Sequence, residues 1–297
     1  MNTASFDAST PLASELENLT KRRASLLSVT VPRPANTRVF TVANQKGGVG
    51  KTTTTVNIAA ALAHFGARVL VIDLDPQGNA STALGIDHHS DIDSIYDVVV
   101  GGRELAGVVQ QSPESPSLLC APANLDLAGA EIELVSLVAR EYRLKKALDQ
   151  YLASPEGNTI DYVFIDCPPS LGLLTINAFV AASEVLIPIQ CEYYALEGVS
   201  QLVGSIEMIK NHLNPRLVLS TILLTMYDQR TNLAQQVVSD VRTHFSAQTL
   251  NTVIPRSVRV SEAPSYGQTV VTYDHNSPGS VSYQEAAVEI ALRGEAM

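Results

Sequence analysis

Apolar, β-branched runs alternate with stretches of helical periodicity along most of this chain. The runs at 39–43, 69–73, 117–120, 162–166, 185–190 and 217–224 are mostly apolar at consecutive positions, which marks strands covered on both faces and therefore a parallel sheet, and the more polar 249–254 is a further strand candidate. Helical spacing over 51–65, 128–152, 171–182, 196–213, 231–246 and 281–293 supplies the covering layers. The alternation predicts an α/β fold: one domain over 37–297 with a mostly parallel central sheet flanked by helices on both faces. The polar, Gly- and Pro-containing stretch 85–116 reads as short helices and loops over that sheet. Residues 1–36 are different, rich in Ser, Thr, Ala and Pro and closed by Pro32-Arg33-Pro34. They form an N-terminal extension, flexible or a short amphipathic helix, in which Leu12, Leu16, Leu19 and Leu26 recur at helical spacing and Ser14-x-x-Glu17 offers a capping box. Such a helix would dock on a partner, on DNA through Lys21-Arg22-Arg23, or on a membrane.

With 297 residues and 45% hydrophobic content, the chain can bury a substantial core. No stretch approaches the roughly 20 uninterrupted apolar residues of a membrane span, and the polar start Met1-Asn2-Thr3-Ala4-Ser5 is no secretory signal, so a cytoplasmic protein is expected. Cys120, Cys167 and Cys191 stand far apart without a Cys-x-x-Cys pair and read as buried free thiols. A net charge of −10 argues against a generic nucleic-acid binder. Between 214 and 262, however, five arginines (Arg216, Arg230, Arg242, Arg256 and Arg259) face three acids (Asp228, Asp240 and Glu262), a local positive excess inside an acidic protein.

The first apolar run leads directly into Lys46-Gly47-Gly48-Val49-Gly50-Lys51-Thr52-Thr53, and helical periodicity follows. Strand, glycine loop and helix in that order make a phosphate-binding loop of P-loop type. The glycines let successive backbone N–H groups turn toward phosphate oxygens, Lys51 adds a point charge, and the Thr52 hydroxyl suits Mg²⁺. The implied ligand is a nucleoside triphosphate. Lys46 gives the loop one charge more than a single subunit needs.

Two acidic strand ends complete the pattern. Val69-Leu70-Val71-Ile72-Asp73-Leu74-Asp75-Pro76 places Asp73 and Asp75 at the C-terminal edge of a buried strand, where open α/β sheets bind ligands. Phosphoryl transfer needs a group that orients the attacking water and others that hold the metal's water shell, so Asp75 is the candidate for the water and Asp73 for the shell. Tyr162-Val163-Phe164-Ile165-Asp166 has the Walker B form, with Asp166 the metal candidate and Pro168-Pro169 fixing the exit from the sheet.

Asn44-Gln45 and the loop that follows, Asp73-Leu74-Asp75-Pro76-Gln77-Gly78-Asn79 and Asp166-Cys167-Pro168-Pro169-Ser170-Leu171 together resemble the deviant Walker A ATPases, most closely the ParA/Soj partition proteins. Pro188-Ile189-Gln190-Cys191-Glu192-Tyr193-Tyr194-Ala195-Leu196-Glu197-Gly198 and Ile254-Pro255-Arg256-Ser257-Val258-Arg259 extend the resemblance over about 37–290. It implies a weak, Mg²⁺-dependent ATPase that cycles between ATP and ADP, with Lys46 reaching across a nucleotide-sandwich homodimer to the other subunit's phosphates. It assigns Lys51 to the β/γ-phosphates, Thr52 and Asp166 to Mg²⁺, Asp75 to the hydrolytic water, and Pro255 and Met226 to the adenine. It also implies a dimer that binds double-stranded DNA without sequence preference through Arg230, Arg256 and Arg259, a ParB-like centromere-binding protein that stimulates hydrolysis, and a nucleoid-associated location. The cargo is then a chromosome or a plasmid.

Two rivals share the loop. A MinD-like membrane-cycling ATPase carries a basic amphipathic C-terminal helix, whereas here Glu285, Glu289 and Glu295 stand against Arg293, a poor match to anionic lipid. A nitrogenase-type iron protein needs two cysteines at its dimer seam, for which Cys167 and Cys191 are the candidates.

Overall fold

The computed structural model describes residues 11–193 and 195–294. Of the patterns above, the Leu12 side chain, Tyr194, the side chains of 195–197 and Glu295 lie outside the described residues. The strands are β1 (Arg38–Val42), β2 (Val69–Asp73), β3 (Gln110–Gln111), β4 (Leu118–Ala121), β5 (Tyr162–Asp166), β6 (Glu184–Gln190), β7 (Val218–Tyr227) and β8 (Thr249–Pro255). They form one sheet in the order β3-β4-β2-β5-β1-β6-β7-β8, parallel except for β3 against β4. The helices are α1 (Pro11–Ser28), α2 (Lys51–His64), α3 (Asn79–Ala83), α4 (Ile95–Val99), α5 (Leu127–Leu134), α6 (Arg143–Leu152), α7 (Leu173–Ala181), α8 (Ala195–His212), α9 (Asn232–His244), α10 (Val258–Glu262), α11 (Val270–Tyr273) and α12 (Pro278–Arg293).

Burial on both faces explains the continuous apolar runs. Alternate side chains of each central strand enter opposite layers. Val39, Leu70, Ile72, Val163 and Ile165 pack with α4 to α9, and Phe40, Val42, Val69, Val71 and Phe164 pack with α2, α3, α11 and α12. The Phe40 and Phe164 rings stack at 5.1 Å across the β1–β5 pair. β1 sits between β5 and β6, so the loop that leaves it emerges at the middle of the C-terminal sheet edge. Asp73 and Asp166 end neighbouring strands in direct register.

Three local expectations need correction. The single helix expected over 128–152 is two helices, α5 and α6, separated at Ala139, which adopts φ 52°. The cause lies on another element: Asn177 of α7 accepts from Leu144 N–H at 3.1 Å and donates to Arg140 C=O at 2.8 Å, which starts α6 afresh. Ser14 lies inside α1 rather than at its cap, because the helix already includes Pro11, the first described residue. Arg22 is not available to DNA. It forks onto Glu285 of α12, with Nε to Oε1 at 2.8 Å, and donates to Ser282 Oγ at 2.8 Å, while Leu26 is buried against Val281 and Val288.

Candidate nucleotide site

The loop from Lys46 to Gly50 is pinned from three sides. Asn44 donates from Nδ2 to Pro188 C=O at 2.8 Å and accepts Lys46 N–H at 3.1 Å, tying the loop's start to β6. Thr225 of β7 donates to Val49 C=O at 2.8 Å, and the Val49 side chain is buried beneath the loop. Gly48 and Gly50 adopt φ 73° and 90°, left-handed values that would strain any other residue type. Nothing lies within 4 Å of a Cβ placed on Gly47 or Gly48, so the inner side of the loop is open to a ligand.

That open side faces a cavity of about 310 Å³ lined by Gly47, Gly48, Gly50, Lys51, Thr52, Thr53, Asp75, Asn79, Pro169 and Met226. Lys51, only 8% exposed, reaches back toward Lys46 C=O at 3.4 Å. Burial lowers its pKa, and the carboxylates of Asp166 and Asp75 oppose that shift. Met226 adopts φ 52°, rare for a side chain of its size, and that turn sets it at the cavity rim. Pro255 is paired with Tyr227 on the neighbouring strand and does not line the cavity. A larger groove of about 450 Å³ along α2 and α11, lined by His64, Glu114 and His275 among others, lacks a phosphate-binding loop.

Behind the loop, Asp166 accepts hydrogen bonds from Thr52 Oγ1 at 2.7 Å and Thr55 Oγ1 at 3.0 Å. Asp73 accepts from Ser81 N–H at 2.9 Å, Ser81 Oγ at 2.8 Å and Asp75 N–H at 3.1 Å. Both carboxyls are fully buried. Burial pushes them up, Asp73 to about 6 and Asp166 to about 8, with the Asp73 charge raising Asp166 further and the Asp75 charge raising both, against the lowering effect of the hydroxyl and amide donors. Asp75 is partly buried at the cavity wall, with one oxygen accepting Gln77 N–H at 3.0 Å.

This donor set fits Mg²⁺. Hydroxyl and carboxylate oxygens are the ligands a hard dication takes, and a dication beside Asp166 and Asp73 would offset the charge that burial disfavours. Among the described residues no three His, Cys, Asp or Glu side chains converge as a cage, which suits an ion that keeps several waters and leans on phosphate oxygens. The two raised carboxyls also fix a pH dependence. Their reference value is 3.8, so the folded chain holds more protons than the unfolded one up to about 8, and stability falls as pH rises through that window. Without nucleotide and Mg²⁺, stability should fall between about pH 4 and 8 by up to about 1.4 kcal/mol per pH unit for each extra proton held. Thermal denaturation across that range checks this: saturating Mg–ATP should flatten the slope, and a midpoint that rises with pH contradicts the reading.

Lys46 does not line this cavity. Its side chain is 50% exposed, and Nζ lies 3.8 Å from Glu192 on the loop after β6. Arg256, at the end of β8, reaches the same carboxylate at 3.3 Å. Arg230 forks onto Asp228 at 2.8 and 2.7 Å, and Arg259 pairs with Glu262 at 3.2 Å and Asp274 at 3.4 Å. All three arginines are more than half exposed. Thr55, Ser81, Thr225, Asn79 and Pro169 also belong to the site, beyond the candidates that the sequence motifs name. Only Asn79 and Pro169 were signalled, by adjacency to the acidic motifs; the others come from a helix interior or a distant strand.

Residues 37–219 match the family model described as an AAA domain. The chain is 48% identical to the sporulation initiation inhibitor protein Soj of Bacillus subtilis over 257 residues, 86% of this chain and 99% of that protein. It is 49% identical to the chromosome partitioning protein ParA of Caulobacter vibrioides over 256 residues, 86% of this chain and 94% of that one. The chain belongs to the ParA/Soj family of chromosome-partitioning ATPases. Among solved structures it is similar to one named cobyrinic acid a,c-diamide synthase, from Mycobacterium smegmatis with bound ADP and magnesium, at 40% identity and TM-score 0.72, covering 84% of this chain and 92% of that one. The septum site-determining protein MinD of Pyrococcus horikoshii, complexed with Mg-ADP, shares the fold at 24% identity and TM-score 0.67, covering 84% of this chain and 94% of that one. For a ParA/Soj ATPase, the glycine loop and its two acidic strand ends are the elements the reaction needs in one place.

Proposed function

We propose that this partition ATPase is switched by ATP between a free monomer and a DNA-bound nucleotide-sandwich dimer. The observation that carries the reading is Lys46, a loop lysine that stays outside its own cavity, half exposed beside Glu192, where it could turn to phosphates held by a second copy. In the site itself, Lys51 would contact the β/γ-phosphates, Thr52 with Asp166 and Asp73 would hold Mg²⁺ and its water shell, and Asp75 would orient the attacking water. When bound, Mg²⁺ neutralises charge on the β/γ-phosphate oxygens. Adenine packs against Met226, with Pro255 one strand further out. Phosphoryl transfer of this kind is positioning and charge neutralisation, which pinned backbone donors and a half-dry lysine supply.

Dimerisation brings Arg230, Arg256 and Arg259 of both copies toward one duplex. Phosphate contacts are independent of base sequence and salt-sensitive, so doubling them raises affinity steeply, and loss of the γ-phosphate returns it to the monomer level. A ParB-like centromere-binding protein is the partner that would speed hydrolysis, and the nucleoid is where such a dimer would reside. Support against the membrane-cycling alternative comes from α12, whose Glu285 and Glu289 are committed to Arg22 and Arg293 while most of the helix is buried against the domain. No helix among the described residues is long and apolar enough to cross a membrane. Iron–sulfur or thiolate chemistry finds no support in Cys120, Cys167 and Cys191, all buried, with burial pushing each thiol up.

The Arg230→Ala, Arg256→Ala double variant tests the DNA face. It should still dimerise with ATP but bind a random-sequence duplex at least tenfold more weakly at about 50 mM salt, with a shallower salt slope. Full affinity in that variant would move the DNA surface elsewhere. ATP-dependent binding to anionic vesicles in place of duplex would favour the membrane alternative.

A further inference from the structure

Glu192 stands between the nucleotide loop and the arginine face. Its Oε2 lies 3.8 Å from Lys46 Nζ and its Oε1 3.3 Å from Arg256 Nη2, so a single carboxylate pairs the extra lysine and a DNA-facing arginine at once. Gln190 Nε2 donates to the same Oε1 at 2.6 Å and holds the group between them. The carboxylates on the other two arginines serve a different purpose. Asp228 pairs Arg230 from two residues away, and Glu262 and Asp274 pair Arg259, each without a contact to the phosphate loop. Of the three arginines, Arg256 is the one whose counter-ion also holds the loop lysine.

We propose that Glu192 is a shared counter-ion that opposes the ATP-bound, DNA-bound dimer and restores the resting state when phosphates leave. The proposal rests on the reading in which Lys46 serves a second copy and Arg256 serves DNA. Lys46 must abandon Glu192 to reach a partner's phosphates, and Arg256 must abandon it to reach a DNA phosphate. With one cation gone, the carboxylate still has the other. With both gone it keeps, among the described residues, only the Gln190 amide, so each departure makes the other harder. The carboxylate thus works against the state that ATP and DNA together favour, and recaptures Lys46 and Arg256 once either phosphate is lost. All three side chains are about half exposed, at 46%, 50% and 60%, so water screens both pairs. Each such pair is worth a factor of about 1.5 to 5, which makes Glu192 a brake on the cycle and not a lock.

Glu192→Gln keeps the shape and the acceptor for Gln190 and removes the charge. Sedimentation with ATP and Mg²⁺ should show dimerisation tightened about two- to 25-fold, because the pair is broken in both copies, and duplex binding at about 50 mM salt should tighten by a further factor of similar size. The gain should shrink toward nothing at about 0.5 M salt, a dependence that a merely structural role would not produce. In an Arg256→Ala background the DNA share of the gain should vanish and the dimerisation share remain. Unchanged or weakened dimerisation and duplex binding in Glu192→Gln overturns the proposal, as does a gain that is insensitive to salt. Lys46→Ala run in parallel separates the two levels. If it loses ATP-dependent dimerisation while Glu192→Gln behaves as wild type, the role of Glu192 alone fails; if Lys46→Ala dimerises normally, the reading beneath it fails as well.

Discussion

Lys46→Ala should retain most of its ATP affinity and lose ATP-dependent dimerisation and duplex binding together. The retained affinity follows from what the loop keeps: Lys51, the Thr52 hydroxyl and the open backbone cradle lie on the cavity, and Lys46 does not. The loss follows from symmetry. In a two-fold assembly the same lysine acts twice, and each charge-assisted contact to a phosphate is worth about 1.5–3 kcal/mol, so both together shift the dimer constant by about a hundredfold to ten-thousandfold. Duplex affinity falls with it, because half the arginines leave the surface. Fluorescent-nucleotide titration and sedimentation on the same preparation separate the two effects. A variant that still dimerises with ATP would show that Lys46 acts within its own subunit, and its half-exposed position beside Glu192 would then be only a surface ion pair.

Asp75→Ala should cut ATP turnover by at least about a hundredfold and leave the protein trapped as an ATP-bound, DNA-associated dimer. The geometry distinguishes Asp75 from its neighbours. Asp73 is fully buried and spends its oxygens on three donors, and Asp166 is fully buried behind the Thr52 and Thr55 hydroxyls. Asp75 is the acid at the cavity wall, with one oxygen accepting Gln77 N–H and the other available to water. Its loss removes no donor from the phosphate cradle, so binding and dimerisation persist while the water loses its orientation. Phosphate release assayed with and without duplex checks this, and unchanged turnover would take Asp75 out of the reaction.

The central sheet was legible because its strands are buried on both faces and therefore read as apolar runs. The loop and the acidic strand ends were legible because phosphate and Mg²⁺ demand particular residue types at fixed spacing. What escaped was set by contacts distant in sequence. The break between α5 and α6 depends on Asn177, more than thirty residues downstream, and apolar periodicity runs straight through it. The tie of Asp73 to Ser81, the clasp of Val49 by Thr225 and the left-handed turn at Met226 likewise have no local signature. Nor did charge pattern show that Arg22 would be consumed by α12 or that Lys46 and Arg256 would meet at one carboxylate. Counting charges along the chain locates a basic stretch; only the fold tells which of its members already have partners.

ATP-gated DNA binding is the claim on which every assigned role depends. Affinity for a random-sequence duplex, measured across a salt series with Mg–ATP, Mg–ADP and no nucleotide while the molar mass is followed in the same samples, tests it most directly. The expected result is a dimer on DNA with Mg–ATP alone, its affinity falling steeply with salt. Equal duplex affinity in all three nucleotide states, or a DNA-bound species that stays monomeric with ATP, would contradict it.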